Sequence, residues 1–234
     1  MSKSESPEVL FEDPHLIVLA KPAGLLSQGE ITGDENLVDW LRVRWGRPYV
    51  GLVHRLDRNT SGILVVAKRT KSANRLTESL QKGDLHRSYL AWVNGSLPAP
   101  QKWTHHLRKD ERTNVVRVVA AGSAGSKEAS LNARPVTSSV WKGNPITLVE
   151  LILETGRSHQ IRVQSAFEGF PLLGDLKYRN RFSGTASDSF GRPALHSHRL
   201  VFPHPMSGER MAFEASLPTD MAALAPSDLK PAAG

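Results

Sequence analysis

A carboxylate flanked by cations stands in the segment HRLDRNTSG, residues 54–62, between two apolar stretches. Asp57 is the only acidic residue of this segment, and Arg55 and Arg58 lie close to it in sequence. Nearby cations favour the ionised form of a carboxylate, which can then act as a base or as a nucleophile. The alternative is a turn in which Asp57 only accepts a hydrogen bond from a backbone N–H. This segment alone supports both interpretations.

A second segment places a glycine and basic residues after the apolar stretch ITLVELILE. It reads TGRSHQIR, residues 155–162, and contains Arg157, His159 and Arg162. A helix that begins after a strand and a glycine presents backbone N–H groups and basic side chains to an anion. We therefore predict a helix over about 158–168. The alternative is a helix N-terminus with a solvated basic face.

Three histidines close together in the chain raise the question of a metal site. His196, His198 and His204 lie within nine positions, in the string LHSHRLVFPHP. They do not have the HExxH spacing, and a proline flanks His204 on each side, so we favour structural histidines.

Basic residues are concentrated in two parts of the chain. Residues 51–87 contain eight Lys or Arg residues against three acidic ones. In residues 99–112, basic residues alternate with aromatic rings: Lys102, Trp103, His105, His106, Arg108, Lys109 and Arg112. Such residues can hold phosphates and stack on bases. A solvated basic surface is the alternative.

Taken together, these segments resemble the RluA-type pseudouridine synthase family. The matching strings occur in family order over about residues 9–214: FEDPHLIVLAKPAGLL, HRLDRNTSGILVVAK, SYLAWVNG, LETGRSHQIRV with GFPLLGDLKY, and LHSHRLVFPHP. The combination of HRLDxxTSG with TGRxHQIR is specific. The resemblance implies isomerisation of uridine to pseudouridine in structured RNA, either ribosomal RNA, transfer RNA or both.

The resemblance also implies roles for individual residues. Asp57 would be the catalytic aspartate, Tyr89 would lie against the target uracil, and Arg162 would pair with Asp57. Arg55 would fill the position that the flipped base leaves in the stack. The other residues predicted to bind RNA are Arg58, Lys68, Arg108, Lys109, Arg157 and His159.

The chain departs from the family pattern at three positions. Arg87 stands where the family often has lysine, Gln164 where it often has histidine, and Ser197 where alanine is more usual. None of the three is a predicted catalytic residue. We therefore expect them to bear on substrate choice more than on the reaction.

The isomerisation breaks the bond between N1 and C1′ and joins C5 to C1′. A carboxylate can assist by adding covalently to the nucleotide, or by removing a ribose proton to give a glycal-like intermediate. C5 must then lose its proton, with Tyr89 or Asp57 as the base. The reaction involves no redox change and no external group, so we expect neither a cofactor nor a metal.

Two other functions compete with this one. A catalytically silent RNA-binding module could use the same scaffold, but the presence of Asp57, Tyr89 and Arg162 argues against it. HRLD also resembles the HRD loop of protein kinases. Leu56, however, interrupts the match to HRD, and the sequence has no glycine-rich phosphate loop and no DFG motif. These differences argue against a phosphotransferase.

Hydrophobic periodicity predicts the elements that position these residues. Helices are predicted over 36–45 and from Thr70 to Gly83, and residues 96–113 are predicted to form a long loop. Strands are predicted at two places within 9–20 and at 50–53, 63–67, 87–93, 114–119, 127–137, 146–153, 199–203 and 210–214. Many strands and few helices, without regular alternation, indicate an α+β fold around a largely antiparallel mixed sheet.

Length and composition agree with a globular RNA-binding protein. The 234 residues predict one catalytic domain over 9–217 between flexible tails at 1–8 and 218–234. The chain has no cysteine, which excludes disulfides and thiolate metal sites. A net charge of +7 makes RNA or DNA a reasonable partner, with a basic protein that binds no nucleic acid as the alternative. With no signal-like apolar segment near the start, we expect a cytoplasmic monomer away from membranes.

Overall fold

The structure, a computed structural model, describes residues 6–29, 33–179 and 189–226. The chain forms two compact units. The first comprises residues 1–88 and 196–216, and the second comprises residues 89–195 and 217–234. Both are built on β-strands, and the described part of each contains two helices. The predicted α+β fold with a mixed sheet and few helices is confirmed.

The described elements follow one another along the chain as β1 (Glu8–Glu12), β2 (Leu16–Lys21), α1 (Leu37–Trp45), β3 (Gly51–Leu52), β4 (Ser61–Ala67), α2 (Thr70–Lys82), β5 (His86–Asn94), β6 (Gln101–Asp110), β7 (Val115–Val119), β8 (Lys127–Trp141), β9 (Asn144–Leu153), α3 (Gln160–Phe167), β10 (Leu195–Pro203), β11 (Arg210–Glu214) and α4 (Thr219–Ala222). None of the helices in these described parts is long and apolar enough to cross a membrane.

The first unit has the strand order β1–β2–β4–β10–β11, with β3 also paired to β4. Neighbouring strands are antiparallel except β4 and β10, which run parallel where Ser61 pairs with His196 and Gly62 with Ser197. The core beneath this sheet is aliphatic and aromatic, and it includes Leu16, Val18, Ile63, Val65, Leu76, Leu200 and Phe202. Strand β4 is buried along its whole length, which agrees with its continuous apolar sequence.

The two helices of the first unit begin and end close to the predicted positions. The Asn36 side chain accepts the Asp39 N–H at 3.0 Å, which caps the start of α1. Helix α2 ends at Gly83, whose φ of 83° is the left-handed conformation typical of a helix C-terminus. Leu76 is fully buried on the predicted apolar face of α2.

The second unit has the strand order β5–β9–β8–β6–β7. The pairs β9–β8, β8–β6 and β6–β7 are antiparallel. Its main core surrounds the fully buried Trp92 and includes Ile146, Leu148, Leu173, Ala194 and Met221.

The prediction of a long loop over 96–113 is wrong, because residues 101–110 form strand β6. Trp103 and Leu107 are buried, while the residues between them are polar or basic and mostly more exposed. This alternation is typical of a strand with one buried face, but two apolar residues are too few to predict it. Pairing with β7 and β8 on both sides provides the missing stabilisation.

The predicted tails also need correction. Residues 219–222, placed in a flexible tail, instead form α4, whose Met221 is fully buried. The indole N–H of Trp92 donates to the Met221 carbonyl oxygen at 3.0 Å. At the other end, β1 already begins at Glu8. Residues 1–5 and 227–234 of these tails lie outside the described residues.

Candidate active site

Asp57 lies in the loop between β3 and β4, and hydrogen bonds hold the backbone on both sides of it. Its carbonyl oxygen accepts the Thr60 N–H at 3.0 Å, which closes a turn. The Ser27 hydroxyl donates to the Leu56 carbonyl oxygen at 2.7 Å and accepts the Leu56 N–H at 3.1 Å. Both backbone polar groups of Leu56, the residue before Asp57, are therefore satisfied by one buried side chain.

Lys21, the last residue of β2, holds the backbone after Asp57. It is 1% exposed, and its ammonium donates to the carbonyl oxygens of Pro22 at 2.9 Å, Leu25 at 2.8 Å and Arg58 at 3.0 Å. The Gly24 N–H donates to the same Arg58 oxygen at 2.9 Å. A buried ammonium needs such partners, since burying it unpaired is very unfavourable. The KPAGLL turn thus fixes the Asp57 loop through the Arg58 carbonyl oxygen.

His54, three residues before Asp57, is neutral at physiological pH. Its Nε2 accepts the Val65 N–H at 3.2 Å in a buried position. Burial, with a smaller contribution from the Arg87 cation, lowers the pKa of His54 to about 3. The positive charges next to Asp57 in sequence therefore come from Arg55 and Arg58 alone.

The far end of the Asp57 loop is fixed by close packing against β10. Gly62 has a φ of 112°, and a Cβ added there would lie 2.2 Å from the Ser197 carbonyl oxygen. The Ser61 hydroxyl lies 2.9 Å from His196 Nδ1, and the Ser197 hydroxyl donates to the Ile63 carbonyl oxygen at 2.9 Å. Gly62 at the end of the motif is thus required by the close backbone contact with Ser197.

In the second unit, Arg162 on α3 forms a bidentate ion pair with Asp175. Arg162 Nε lies 2.6 Å from Oδ2 of Asp175, and Nη2 lies 2.8 Å from Oδ1. The Asp175 side chain is 1% exposed. The guanidinium also lies 5.1 Å from the ring centroid of Tyr178. The pairing of Arg162 with Asp57 remains a prediction.

The helix that carries Arg162 begins later than predicted. His159 has a φ of 50°, in the left-handed region, so α3 begins at Gln160. The Gln160 side-chain oxygen accepts the Arg157 N–H at 2.9 Å and bonds to the Thr155 hydroxyl at 2.8 Å. His159 Nδ1 lies 2.6 Å from the Tyr178 hydroxyl. The segment therefore turns sharply before the helix and directs His159 towards Tyr178.

Tyr89 lies in β5 and is 6% exposed. A largely buried tyrosine offers a flat apolar face together with one polar group. This is the residue type that the family resemblance places against the target uracil.

Among the basic residues of the first unit predicted to bind RNA, Arg55 is exposed and Arg58 forms an ion pair with Asp34. Lys68 is occupied, because its ammonium lies 2.7 Å from Glu12 Oε1 and 5.5 Å from the ring centroid of Trp45. Burial acts to raise the pKa of Glu12, but hydrogen bonds, that of Lys68 first, lower it to about 2. These contacts give Lys68 a structural role.

Among the basic residues of the second unit predicted to bind RNA, Arg108, Lys109 and Arg157 are exposed and His159 is half-buried. Arg108 pairs across the β6–β7 hairpin with Arg117, which places two like charges side by side. Lys109 lies 2.6 Å from Glu111. The Arg157 side chain donates to a backbone carbonyl of β8 at 2.8 Å.

The position where the family often has histidine is used for packing. Gln164 is fully buried, and its amide donates to the carbonyl oxygens of Trp103 and Ala129, both at 3.2 Å. It also lies 2.9 Å from His105 Nδ1. This departure thus joins α3 to β6 and β8.

The three clustered histidines bond to protein groups. His196 and His198 contact the Ala215 carbonyl oxygen, and His204 Nε2 lies 3.0 Å from Asp13. Over the described parts of the chain, no three His, Cys, Asp or Glu side chains are arranged to hold a metal ion. These contacts support the structural interpretation of the histidines.

Comparison with known proteins places the chain in a family. The sequence profile of RNA pseudouridylate synthase matches residues 15–167. The chain belongs to the RNA pseudouridylate synthase family. The matched range contains Asp57, Tyr89 and Arg162, so the predicted family is confirmed.

Individual members of the RNA pseudouridylate synthase family are similar over most of this chain. Ribosomal large subunit pseudouridine synthase C of Haemophilus influenzae is 33% identical over 230 residues, 93% of this chain and 67% of that protein. Ribosomal large subunit pseudouridine synthase D of Neisseria meningitidis serogroup A is 35% identical over 228 residues, 92% of this chain and 59% of that protein. The chain thus spans between 59% and 67% of these two relatives.

Solved structures agree on the pseudouridine synthase fold. Human RNA pseudouridylate synthase domain containing 1 has a TM-score of 0.75 at 25% identity, covering 91% of this chain and 84% of that one. Human RNA pseudouridylate synthase domain containing 4 has a TM-score of 0.73 at 23% identity, covering 92% and 90%.

Sequence reasoning missed the residues that hold the predicted ones in place. Lys21 and Asp175 lie in strings that resemble the RNA pseudouridylate synthase family, and Ser27 directly follows one of them, yet none had a predicted role. The signal for Asp175 was an acidic residue after a glycine in GDLKY. For Lys21 it was a lysine that ends an otherwise apolar strand.

Proposed function

We propose that this protein is an RNA pseudouridine synthase that isomerises uridines of ribosomal RNA. The observation that carries the proposal is the family match over residues 15–167, which includes an Asp57 loop held rigidly by Lys21 and Ser27. The similar proteins from Haemophilus influenzae and Neisseria meningitidis are named for the ribosomal large subunit. Ribosomal RNA is therefore the first substrate to test, and transfer RNA the second.

In the proposed mechanism the target uridine leaves its stack to reach Asp57. Asp57 either adds to the nucleotide or removes a ribose proton, so that the N1–C1′ bond breaks and C5 joins C1′. Tyr89 supports the uracil ring, and Tyr89 or Asp57 takes the C5 proton. Arg162 is the partner of Asp57, and Arg55 fills the space that the base has left. The steps use no cofactor and no metal ion.

We assign RNA contacts to exposed basic residues of both units and to the half-buried His159. Phosphate contacts supply most of the affinity of such proteins, and exposed cations make them without structural change. The proposed residues are Arg55, Arg58, Arg108, Lys109, Arg157 and His159. Lys68 is left out because its side chain is only 15% exposed and its ammonium contacts Glu12 and Trp45, whereas the ion-paired Arg58 is 42% exposed. We further propose a cytoplasmic monomer.

The decisive experiment compares the purified protein with its Asp57→Asn variant. Asparagine is nearly isosteric but is a poor base and a poor nucleophile, so we expect pseudouridine formation to be abolished while RNA binding persists. Transcripts of large-subunit ribosomal RNA and transfer RNA are incubated with each protein, and pseudouridine is mapped by chemical labelling and primer extension.

The matched control is Asp84→Asn, an exposed aspartate of the same unit, which should keep full activity. Turnover by the Asp57→Asn variant would refute the assignment of Asp57. Binding without pseudouridine in the unaltered protein would instead indicate a silent RNA-binding module.

A further inference from the structure

The string GDLKY contains a buried carboxylate that the proposed mechanism does not use. The Asp175 side chain is 1% exposed, and both of its oxygens contact Arg162, at 2.6 and 2.8 Å. Burying an unpaired carboxylate is very unfavourable, so Asp175 and Arg162 depend on each other. Asp175 is close in space to a residue proposed to act in catalysis, although it is 13 positions away in sequence.

The geometry of this pair fixes the orientation of the guanidinium as well as its position. The guanidinium of Arg162 contacts both carboxylate oxygens of Asp175, through Nε and Nη2, and two such contacts restrain its rotation. The Tyr178 ring centroid lies 5.1 Å from the guanidinium carbon. One short turn thus supplies both an ionic and an aromatic contact to Arg162.

The turn itself is rigidly built. Asp175 Oδ1 also accepts the N–H groups of Lys177 at 3.0 Å and Tyr178 at 3.2 Å. The Tyr178 hydroxyl accepts the Val116 N–H at 2.9 Å. A Cβ added at Gly174 would lie 2.0 Å from a backbone oxygen, so the entrance to the turn admits only glycine. Contacts within the turn therefore fix the position of the Asp175 carboxylate independently of Arg162.

We propose that Asp175 is a positioning residue for the isomerisation, which acts by holding the guanidinium of Arg162 in its working orientation. The proposal rests on the proposed function, in which Arg162 takes part in catalysis. Small displacements of a catalytic group lower a rate strongly, because the productive geometry is narrow. The ion pair between Asp175 and Arg162 should therefore affect kcat more than it affects RNA binding.

The test measures kcat and KM on a short ribosomal RNA transcript for Asp175→Asn, Asp175→Glu, Arg162→Ala and the double variant Asp175→Asn/Arg162→Ala. We expect Asp175→Asn to lower kcat by about 10- to 100-fold, with KM changed less than about threefold. The double variant should be no slower than Arg162→Ala alone, because Asp175 acts only through Arg162.

The matched control is Asp220→Asn. Asp220 forms the same bidentate contact with Arg192, at 2.7 and 2.8 Å, in the same unit. We expect its kcat to be unchanged. If Asp175→Asn does not fold, Asp175→Glu decides. It keeps the buried charge but moves the carboxylate by one methylene, and it should show the same selective loss of kcat.

The outcomes separate this proposal from the proposed function. If the unaltered protein forms pseudouridine but the folded Asp175 variant keeps its kcat within twofold, the positioning role is wrong and the function stands. Multiplying losses in the double variant would show that Asp175 acts independently of Arg162, which also overturns the proposal. An inactive unaltered protein would refute the function itself, and the positioning role with it.

Discussion

A buried lysine is unusual, because its ammonium must leave water. Lys21 is 1% exposed and resolves this by donating to three carbonyl oxygens, of which the Arg58 oxygen lies 37 residues away in sequence. The ammonium therefore joins the turn after β2 to the loop that carries Asp57. At the scale of single residues, the backbone of the loop that carries the predicted catalytic residue thus depends on one buried charge.

Lys21→Met tests this role at the scale of the residue. Methionine fills the space of the lysine stem but removes the ammonium donor from all three carbonyl oxygens, and the Arg58 oxygen keeps the Gly24 N–H. We expect the free energy of unfolding to fall by about 2–3 kcal/mol, measured by urea denaturation. Lys82→Met, an exposed lysine at the end of α2, should change it by less than about 0.5 kcal/mol. Equal values for the two variants would refute the anchoring role.

At the scale of elements, the parallel contact between β4 and β10 requires a residue without a side chain. The backbone of Ser197 comes so close to Gly62 that no Cβ fits between the strands. The TSG string stands at the start of β4, where Ser61 and Gly62 pair with β10. The same residues therefore end the Asp57 loop and join β4 to β10. The motif therefore serves the fold as well as the site.

Gly62→Ala and Gly83→Ala separate backbone strain from this close contact. Both glycines have positive φ, 112° and 83°, but nothing lies within 4 Å of a Cβ added at Gly83. We expect Gly83→Ala to lower the free energy of unfolding by about 1–2 kcal/mol through strain alone. Gly62→Ala should lower it by at least about 2 kcal/mol more, since the strands must separate. If urea denaturation gives similar losses of unfolding free energy for the two variants, β10 can move away from Gly62 at little cost.

At the scale of the whole molecule, stability depends on pH through buried and paired groups. The pKa of His54 is about 3 in the folded protein, against an ordinary value of 6.5. Below pH 6.5 the unfolded chain therefore binds a proton that the folded protein does not. The contribution of His54 is fully present above pH 6.5 and is lost as pH falls towards 3. Glu12, with a pKa of about 2 against 4.5, acts in the same direction at lower pH.

His54→Gln should remove the part of the pH dependence of unfolding free energy that comes from His54. Between pH 6 and 5, the free energy of unfolding of the unaltered protein should fall more steeply than that of the variant. The expected difference in slope is roughly 1 kcal/mol per pH unit. Urea denaturation at several pH values measures both slopes, and this range lies above the region where Glu12 titrates. Parallel slopes would mean that His54 is protonated in the folded state.

The sequence by itself determined the elements with strong periodicity, and it supplied the prediction of the catalytic residues. Helix α2 follows from Leu76 and its neighbours and from Gly83, and β4 follows from a continuous apolar stretch. The family followed from the order and spacing of the motifs. Each of these signals lies within a few residues along the chain, where local sterics and burial act directly.

Only the tertiary structure decided which groups hold the predicted catalytic residues in place. Strand β6 carries two buried apolar residues and forms because β7 and β8 pair with it on either side. Asp175 became the partner of Arg162 through a turn that follows α3. Lys21 reached Arg58 because β2 and β4 are neighbours in the sheet. Such contacts join groups that are distant in sequence, and burial gives them their strength because water no longer competes for the charges.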